Sequence, residues 1–187
     1  MFSEIKNFLS NDECDEIINK CGSLIKEHKV GIEFNRQGNT VKFQDHEELK
    51  EIDQLVFTRL SYFLKNKLEF TFALQGYNVA DSGYSFHRYK HTDQLFTHAD
   101  GLFCRESEIF YPRVLSCVIN LTDNDNADLI FPRHNKSIKS EKGKLVSFLP
   151  HPCFEHYMNN YSGKNRDVVV TWLEDRSTEC REANKNE

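Results

Sequence analysis

Two runs in the first third of the chain carry the three-and-four spacing of apolar residues that lets an α-helix bury one face. The first begins at Ser10 and Glu13, a capping box in which each side chain bonds the backbone of the other residue, so a helix should start there. Gly22 weakens this helix slightly without ending it. Residues 4–9 are predicted to be a short strand or extended lead-in. The apolar positions of the run are Cys14, Ile17, Ile18, Cys21, Leu24 and Ile25.

The second run predicts a longer helix over residues 46–67. Acidic residues crowd its first turn, where the helix dipole favours negative charge. Its apolar stripe has the width of a helix face that packs on a protein core. This stripe consists of Leu49, Ile52, Leu55, Val56, Leu60, Phe63 and Leu64.

From residue 70 onward the pattern changes to short runs rich in β-forming residues, separated by turn residues. Many short strands at such spacing predict an antiparallel sandwich or barrel, here with the two helices packed against one face. The fold class is therefore α+β. The chain turns polar at Glu174, and we expect one domain over residues 1–175 and a flexible tail over residues 176–187. The predicted strands are residues 84–89, 113–121, 129–131, 144–149 and 166–173.

Composition narrows the class of protein. Of the 187 residues, 39% are hydrophobic and 28% are charged, which is the balance of a folded globular protein. The net charge of -5 and the pI near 5.9 argue against nucleic acid as the main partner. No apolar run is long enough to cross a bilayer, and no basic segment followed by an apolar one marks a secretory signal. We therefore expect a cytoplasmic protein that does not insert into a membrane.

The six cysteines do not predict a disulfide framework or a structural zinc site. They form no C-x-x-C pair, and the chain is long and lacks a recognisable secretory signal. A structural zinc site would need close, paired spacings. We expect reduced thiols, several of them buried as small hydrophobic side chains.

A possible metal site is suggested by the tripeptide His98-Ala99-Asp100. On an extended segment, residues two apart project to the same face, so an imidazole and a carboxylate can reach one ion. A third ligand from a distant strand would complete the triad of two histidines and one carboxylate found in non-haem iron oxygenases. A second copy, His91-Thr92-Asp93, shows that this motif alone equally fits a polar strand end or a turn.

Further motifs stand in a characteristic order along the chain. They are Arg88-Tyr89-Lys90, Asp93, Leu95, His98-x-Asp100, Arg113-Val114-Leu115-Ser116, the run from Gly143 to Phe148, His156, Arg166 ten residues later and Trp172 six beyond. This order resembles the prolyl 4-hydroxylase-like branch of the iron(II)/2-oxoglutarate oxygenases over nearly the whole chain. Residues 8–15 also resemble the opening helix of that family.

The resemblance implies both a fold and a register for the first two ligands. The fold is a double-stranded β-helix, or jelly roll, with the N-terminal helices packed on one sheet. In the family a tyrosine stands nine residues before the first ligand. With Tyr89 in that place, the first ligands are His98 and Asp100, and His91 and Asp93 fall in a variable turn.

The distal ligand is chosen by a similar spacing. Two histidines compete for it, His151 and His156. The resemblance implies a basic anchor ten residues after the ligand, and counting back from Arg166 selects His156. His151 is then expected to be structural or to lie beside the ligands.

The chemistry implied by the resemblance is hydroxylation of a C–H bond by Fe(II) and O2, coupled to conversion of 2-oxoglutarate to succinate and carbon dioxide. Ascorbate would keep the iron reduced. The iron ligands would be His98, Asp100 and His156. Arg166 would pair with the far carboxylate of 2-oxoglutarate in a partly dry pocket, where a charge pair is stronger than in water. Additional hydrogen bonds to the cosubstrate would come from Tyr89, Ser116 and Asn120.

The substrate implied is a prolyl residue in a peptide or protein. The same site would also serve a hydroxylase of a free amino acid or another small molecule, and the fold alone would serve a non-catalytic binding module. Residues 79–83 and 102–112, in the loops expected to contact the substrate, carry no pattern that separates these functions.

Three departures from the family pattern bear on the cosubstrate. Residues 126–131 read Asn-Ala-Asp-Leu-Ile-Phe where the family has G-G-x-T-x-F. Asn120 stands where a tyrosine commonly contacts the cosubstrate, although an amide can still donate to it. Arg166 replaces a common lysine and offers a two-pronged donor to a carboxylate. If Arg166 were structural, Lys164 or Arg113 would be the next candidates for the anchor.

Overall fold

The computed structural model describes residues 2–25, 38–67, 74–91, 93–102, 111–158 and 163–177. Within these ranges the α-helices are α1 (Asn11–Leu24) and α2 (Lys50–Asn66). The strands are β1 (Phe2–Ile5), β2 (Asn39–Lys42), β3 (Val79–Asp81), β4 (Ser85–Tyr89), β5 (Leu95–His98), β6 (Arg113–Asn120), β7 (Asn124–Phe131), β8 (Lys136–Ser140), β9 (Leu145–Phe148), β10 (His156–Met158) and β11 (Arg166–Asp175).

The strands form two antiparallel sheets that wind into a jelly roll. Among the described residues, the larger sheet has seven strands in the order β1-β9-β6-β11-β4-β2, with β3 paired to the C-terminal part of β11. The smaller sheet has four strands in the order β5-β10-β7-β8. From β4 to β11 the chain passes back and forth between the two sheets, which is the winding of a double-stranded β-helix. The predicted fold class is confirmed.

The helices cover the outer face of the larger sheet, as the sequence predicts. Side chains alternate between the two faces of a strand. On β6, therefore, Cys117 and Ile119 pack under the helices while Val118 faces the smaller sheet. The helices contribute Cys14, Ile17, Cys21, Ile52, Val56, Leu60 and Phe63 to the outer core. Because the helices occupy one face only, the space between the two sheets is left for a site.

The start of α1 follows the predicted capping box. Ser10 N–H donates to Glu13 Oε2 over 2.7 Å, and Glu13 N–H donates to Ser10 Oγ over 3.2 Å. The residue before the cap, Leu9, donates its N–H to the carbonyl of Gly143 over 3.2 Å. A Cβ at position 143 would lie 2.2 Å from the Leu9 carbonyl oxygen, and the φ of Gly143 is +75°. Glycine is therefore required where the entry to α1 meets the turn before β9.

Two predicted boundaries at the N-terminal end differ from the structure. The predicted strand at residues 4–9 is instead β1, which ends at Ile5, because Asn7 adopts a left-handed φ of 56° and turns the chain. The predicted helix at 46–67 begins as an α-helix only at Lys50, after the single 3-10 turns Phe43–Asp45 and Glu47–Leu49. The extended φ of -137° at His46 separates these two turns.

Five strands match predicted runs: β4, β6, β7, β9 and β11. Apart from β1, described above, the other strands (β2, β3, β5, β8 and β10) are short and were not predicted. In β8, for example, Ile138 is the one buried apolar residue, so no alternation is visible. The C-terminal strand β11 ends at Asp175, one residue after Glu174, where the sequence becomes polar. Beyond it, Arg176 N–H donates to the Asn78 carbonyl over 2.7 Å. Most of the predicted tail, residues 178–187, lies outside the described residues.

The cysteines agree with the expectation of free thiols. Cys14, Cys21 and Cys117 are buried and Cys153 is exposed, and none of these four is in a disulfide. Burial raises the pKa of Cys14 to about 11 and that of Cys117 to about 12, so these thiols are inert packing groups. Cys104 and Cys180 lie outside the described residues. No helix in the described ranges has the length and apolar character needed to cross a membrane.

Candidate metal centre

Three side chains that can ligate a metal converge between the sheets. His98 ends β5 and His156 begins β10, and the two residues are paired directly across these antiparallel strands. Their ring centroids are 4.3 Å apart. One ligand atom from each of His98, Asp100 and His156 lies within 4.8 Å of the others. Within the described residues, no other group of three or more such side chains comes together in this way.

Both imidazole rings are oriented by backbone carbonyl groups. His98 Nδ1 lies 2.7 Å from the Phe96 carbonyl oxygen, and His156 Nδ1 lies 3.1 Å from the Phe154 carbonyl oxygen. A carbonyl can only accept a hydrogen bond, so Nδ1 donates in each case, which leaves Nε2 as the ring nitrogen available to a metal. This arrangement is typical of metal-binding histidines, because the carbonyl fixes both the ring orientation and the tautomer.

Asp100 reaches the group by a route that differs from the predicted one. The sequence suggests an extended segment through His98 and Asp100, but Asp100 instead opens the 3-10 turn Asp100–Leu102 after the strand has ended. Its Oδ1 lies 3.4 Å from His98 Nε2. Two neighbouring ligands of an octahedral ion lie about 3 Å apart when each is about 2.1 Å from the metal. The His98–Asp100 pair is therefore close to this spacing, and the group as a whole, within 4.8 Å, would close further around an ion.

The main chain at Asp100 is held by Arg113, the first residue of β6. Arg113 Nη1 donates to the Asp100 carbonyl oxygen over 2.9 Å. Its guanidinium carbon lies 3.8 Å from the centroid of the Trp172 ring, which is a cation–π contact. Arg113 thus braces the turn that carries the carboxylate. Arg113 was expected to be an alternative anchor or a structural ion-pair residue, and this contact was not predicted.

Gly101 allows the Asp100 turn to approach the segment before His156. A Cβ at position 101 would lie 2.0 Å from the Pro150 carbonyl oxygen, which no real side chain tolerates. Residues 100–102 therefore pack directly on the backbone of the other ligand-bearing segment. Any larger residue at 101 would force the two segments apart.

The protonation states suit a metal centre. Burial by itself raises the pKa of Asp100, but His98, His156 and the Ser116 hydroxyl together lower it well below its ordinary range. Burial lowers the pKa of His156 to about 4, and the positive charge of Arg166 adds to this effect. Near neutral pH the site holds an anionic Asp100 and a neutral His156, which are the forms that bind metals.

The rival histidine motifs lie elsewhere. His91 is exposed, and the buried Asp93 accepts a hydrogen bond from Lys90 N–H over 2.7 Å in a tight turn. His151 is exposed, and its Nδ1 accepts from Cys153 N–H over 3.2 Å. The structure brings none of these three residues to the group formed by His98, Asp100 and His156.

Arg166 lies inside the same space. It begins β11 opposite Tyr89 of β4, it is only 2% exposed, and its guanidinium carbon lies 5.7 Å from the centroid of the Tyr89 ring. The positive charge of Arg166 also helps to lower the pKa of His156. Lys164, the alternative anchor, is exposed.

Ser116 and Asn120 lie on β6 with side chains on the inner face. The buried Ser116 hydroxyl has no hydrogen-bond partner among the described residues, and it lies close enough to Asp100 to help lower the pKa of that carboxyl. Asn120 contacts Arg166 through its Oδ1, at 3.3 Å from Nη2. Its Nδ2 donates to the Lys144 carbonyl over 3.4 Å. One hydrogen of the amide that was predicted to donate to the cosubstrate is thus bonded to the main chain.

Aromatic rings pack against the His156 imidazole. This packing was not predicted from the sequence. The rings of Phe148 and Phe131 have centroids 4.8 and 5.3 Å from that of His156. The Phe2 ring, on β1, packs edge-on against Phe131 at 4.8 Å and against Phe154 at 5.0 Å.

A sequence signal for the orienting carbonyls does exist, since the pattern F-x-H occurs at Phe96-Thr97-His98 and again at Phe154-Glu155-His156.

Comparisons with known proteins give a clear result only at the level of structure. No family model matches the sequence, and no curated protein matches it. Among solved structures, the viral collagen prolyl hydroxylase of Paramecium bursaria Chlorella virus-1, in its 2-oxoglutarate complex, matches with a TM-score of 0.73. The match covers 93% of this chain and 96% of the viral one at 19% identity. This chain has the fold of the prolyl hydroxylase structures.

A bacterial structure with this fold gives the same result. The prolyl-4-hydroxylase of Pseudomonas putida matches with a TM-score of 0.65 at 17% identity, over 94% of this chain and 92% of that one. The match to both proteins extends over nearly the full length of each chain, so the helices are included as well as the jelly roll.

Proposed function

We propose that this protein is a dioxygenase that uses Fe(II), O2 and 2-oxoglutarate to hydroxylate a C–H bond. The observation that carries the proposal is the convergence of His98, Asp100 and His156 in a prolyl 4-hydroxylase-like fold whose inner face also bears the buried Arg166. Two neutral imidazoles and one carboxylate on one side of a metal leave its other positions open, which is the donor set of non-haem iron oxygenases. Iron bound there would supply oxygen activation coupled to decarboxylation of the 2-oxo acid.

The residues around the metal have separate tasks in this proposal. Carbonyl groups hold the two imidazoles, while Arg113 and Gly101 keep the Asp100 carboxylate beside them. Arg166 supplies a buried positive charge for the far carboxylate of 2-oxoglutarate, where low water content strengthens the pairing. Tyr89, whose ring lies beside the guanidinium, lines the same part of the space.

We propose a prolyl residue in a peptide or protein as the substrate. The two proteins described above are both named as prolyl hydroxylases, one of them acting on collagen, and both share the whole fold with this chain. Ascorbate is proposed as the reductant that keeps the iron ferrous. A free amino acid or other small molecule is the competing substrate class.

The test is turnover of 2-oxoglutarate by the purified protein. With Fe(II), ascorbate and proline-containing peptides, we expect succinate to form together with a peptide whose mass has increased by one oxygen atom. Succinate formation should stop when a chelator is added. The variant Asp100→Ala should be inactive, and the matched variant His91→Ala, at an exposed residue outside the group, should be active.

Two results would contradict the proposal in different ways. Succinate formation that persists in the chelator would exclude an iron-dependent reaction. Iron-dependent succinate formation with oxygen added to free amino acids, and not to peptides, would keep the chemistry and move the substrate to the small-molecule class.

A further inference from the structure

A neutral hydrogen-bond acceptor holds the buried guanidinium of Arg166. Its Nη2 donates to Asn120 Oδ1 over 3.3 Å, and both residues are 2% exposed. The contact joins two neighbouring strands, since Val168 of β11 pairs with Asn120 of β6. One end of the guanidinium is therefore fixed to the central part of the larger sheet.

The amide of Asn120 can adopt only one orientation. Its Nδ2 lies 3.4 Å from the Lys144 carbonyl oxygen, which can only accept, and its Oδ1 faces a guanidinium, which can only donate. Rotating the amide by half a turn would place Oδ1 against the Lys144 carbonyl oxygen, two acceptors, and Nδ2 against the Arg166 guanidinium, two donors. The main chain of Asn120 is also fixed, because its N–H donates to Lys144 O over 2.9 Å and its carbonyl accepts from Gly143 N–H over 2.8 Å.

A second donor near Asn120 does not replace Arg166. The Ser140 hydroxyl lies 3.2 Å from Asn120 Oδ1 and 2.9 Å from the Thr122 carbonyl oxygen. A hydroxyl has one hydrogen to donate, and the Thr122 oxygen is the nearer acceptor. Arg166 is therefore the main hydrogen-bond donor to Asn120 Oδ1.

We propose that Asn120 is a positioning residue that fixes the Arg166 guanidinium for the cosubstrate carboxylate without neutralising its charge. This inference rests on the proposed function, and within it on Arg166 as the anchor. An aspartate in the same place would form a buried ion pair with Arg166 and would compete with the incoming carboxylate. An amide supplies the hydrogen bond and adds no negative charge beside the guanidinium. The amide oxygen and one amide hydrogen are engaged within the protein, so in this proposal Asn120 orients the anchor.

The test compares Asn120→Asp and Asn120→Ala with matched changes at Asn124. Asn124 is also a buried asparagine, its Nδ2 donates to a main-chain carbonyl, that of Lys164, over 3.1 Å, and it makes no bond to Arg166. KM for 2-oxoglutarate, kcat at saturating cosubstrate and Fe(II) affinity are measured for each variant. Asn120→Asp should raise KM by about 30-fold or more, as loss of a desolvated charge pair does. Asn120→Ala should raise it roughly 3- to 10-fold, which is the effect of one hydrogen bond.

Other quantities should not change. For the Asn120 variants, kcat at saturating cosubstrate and Fe(II) affinity should stay within about twofold of the wild type, because only the anchor is disturbed. In an Arg166→Ala background, Asn120→Asp should have no further effect on KM, since the partner it acts through is gone. Asn124→Asp and Asn124→Ala should leave KM unchanged.

Several outcomes would overturn the inference. A wild-type KM in Asn120→Asp would do so, and so would an equal rise in KM in Asn124→Asp, which would indicate a general effect of charge. If Asn120→Asp does not fold, an unchanged KM in Asn120→Ala is decisive against the role. Failure of the proposed function is seen earlier and separately, as absence of 2-oxoglutarate turnover by the wild type or as a normal KM in Arg166→Ala.

Discussion

His98 and His156 face each other on β5 and β10, and the same main-chain device orients both rings. In each case the carbonyl of a phenylalanine two residues earlier accepts a hydrogen bond from Nδ1. The main chain therefore fixes the orientation of both rings, and with it the position of each Nε2 atom. Preorganisation of this kind matters because outer contacts of metal ligands typically change metal affinity by about 10- to 100-fold.

The first prediction separates the two H-x-D motifs. His98→Ala, Asp100→Ala and His156→Ala should each weaken Fe(II) binding by about 100-fold or more, because each removes a ligand. His91→Ala, at an exposed position, should bind Fe(II) like the wild type. The measurement is anaerobic titration calorimetry. Loss of binding in His91→Ala with retention in His98→Ala would reverse the assignment.

Asp93 tests the same point through stability. Its carboxylate accepts the Lys90 N–H in a buried turn, so Asp93→Ala should lower the free energy of unfolding by about 1–3 kcal/mol. Fe(II) affinity should nevertheless stay within about twofold, because the carboxylate is not in the metal-binding group. Chemical denaturation gives the first quantity and metal titration the second. A large loss of affinity at unchanged stability would show that Asp93 is a ligand.

The next prediction concerns the close approach at Gly101. A Cβ there would lie 2.0 Å from Pro150 O, so Gly101→Ala should push the Asp100 turn away from the His156 segment. We expect Fe(II) affinity to fall by about 10- to 100-fold, as it does when the support of a ligand is lost. Gly76→Ala is the control for strain away from the site, since a Cβ at that glycine meets nothing within 4 Å although its φ of +89° disfavours alanine. Equal Fe(II) affinity in both variants would refute the role of the close approach.

Arg166 can be tested against its exposed alternative. Arg166→Ala should weaken 2-oxoglutarate binding by about 30-fold or more with little change in Fe(II) affinity, because it removes one partner of a desolvated charge pair. Arg166→Lys should recover much of this loss, although without the forked geometry. Lys164→Ala should behave as the wild type, because Lys164 is exposed. Normal 2-oxoglutarate dependence in Arg166→Ala, with a lower melting temperature, would make Arg166 a purely structural residue.

The buried His156 predicts a pH dependence for the metal-free protein. The pKa of His156 is about 4 in the folded state and near 6.5 in the unfolded state. Between these two pH values, His156 is largely protonated in the unfolded chain and largely neutral in the folded chain. Stability should therefore fall as the pH drops from about 6.5 to about 4. Between pH 7 and pH 5 the loss attributable to His156 is about 2 kcal/mol. The lowered pKa of Asp100 acts only below its unfolded value, so it does not contribute in this range.

Urea unfolding at pH 7 and pH 5, in the presence of a chelator, measures this loss. His151→Ala should show the same pH dependence as the wild type, because His151 is exposed. His156→Gln should show a smaller one. An unchanged pH dependence in His156→Gln would assign the effect to other groups.

What could be predicted from the sequence depended on how local the interaction is. The start of α1 was predicted because Ser10 and Glu13 satisfy each other within one turn. The pairing of His98 with His156 joins residues far apart in the chain, and only the resemblance to a known family brought them together before the fold was seen. The H-x-D spacing alone could not identify the ligands, because His91-Thr92-Asp93 has the same spacing as His98-Ala99-Asp100.

Other features could not be predicted because they depend on three-dimensional contacts. Asp100 leaves the strand for a turn that is held by Arg113, and neither the turn nor the brace has a sequence signature. The side chain of Asn120 was expected to face the cosubstrate, but the Lys144 carbonyl and Arg166 lie where its two ends can bond. β8 and β10 are stabilised by partners in the sheet and by few apolar residues of their own, so no period could reveal them.

The N-terminal strand β1 has a practical consequence for anyone who shortens this chain. It pairs with β9, whose residues are all buried, and so closes that side of the larger sheet. Deleting residues 1–5 would expose the unpaired N–H and C=O groups of β9, a template to which another molecule can add a strand. It would also remove Phe2 from the rings behind His156. Such a deletion should therefore produce aggregates and a loosened metal ligand together.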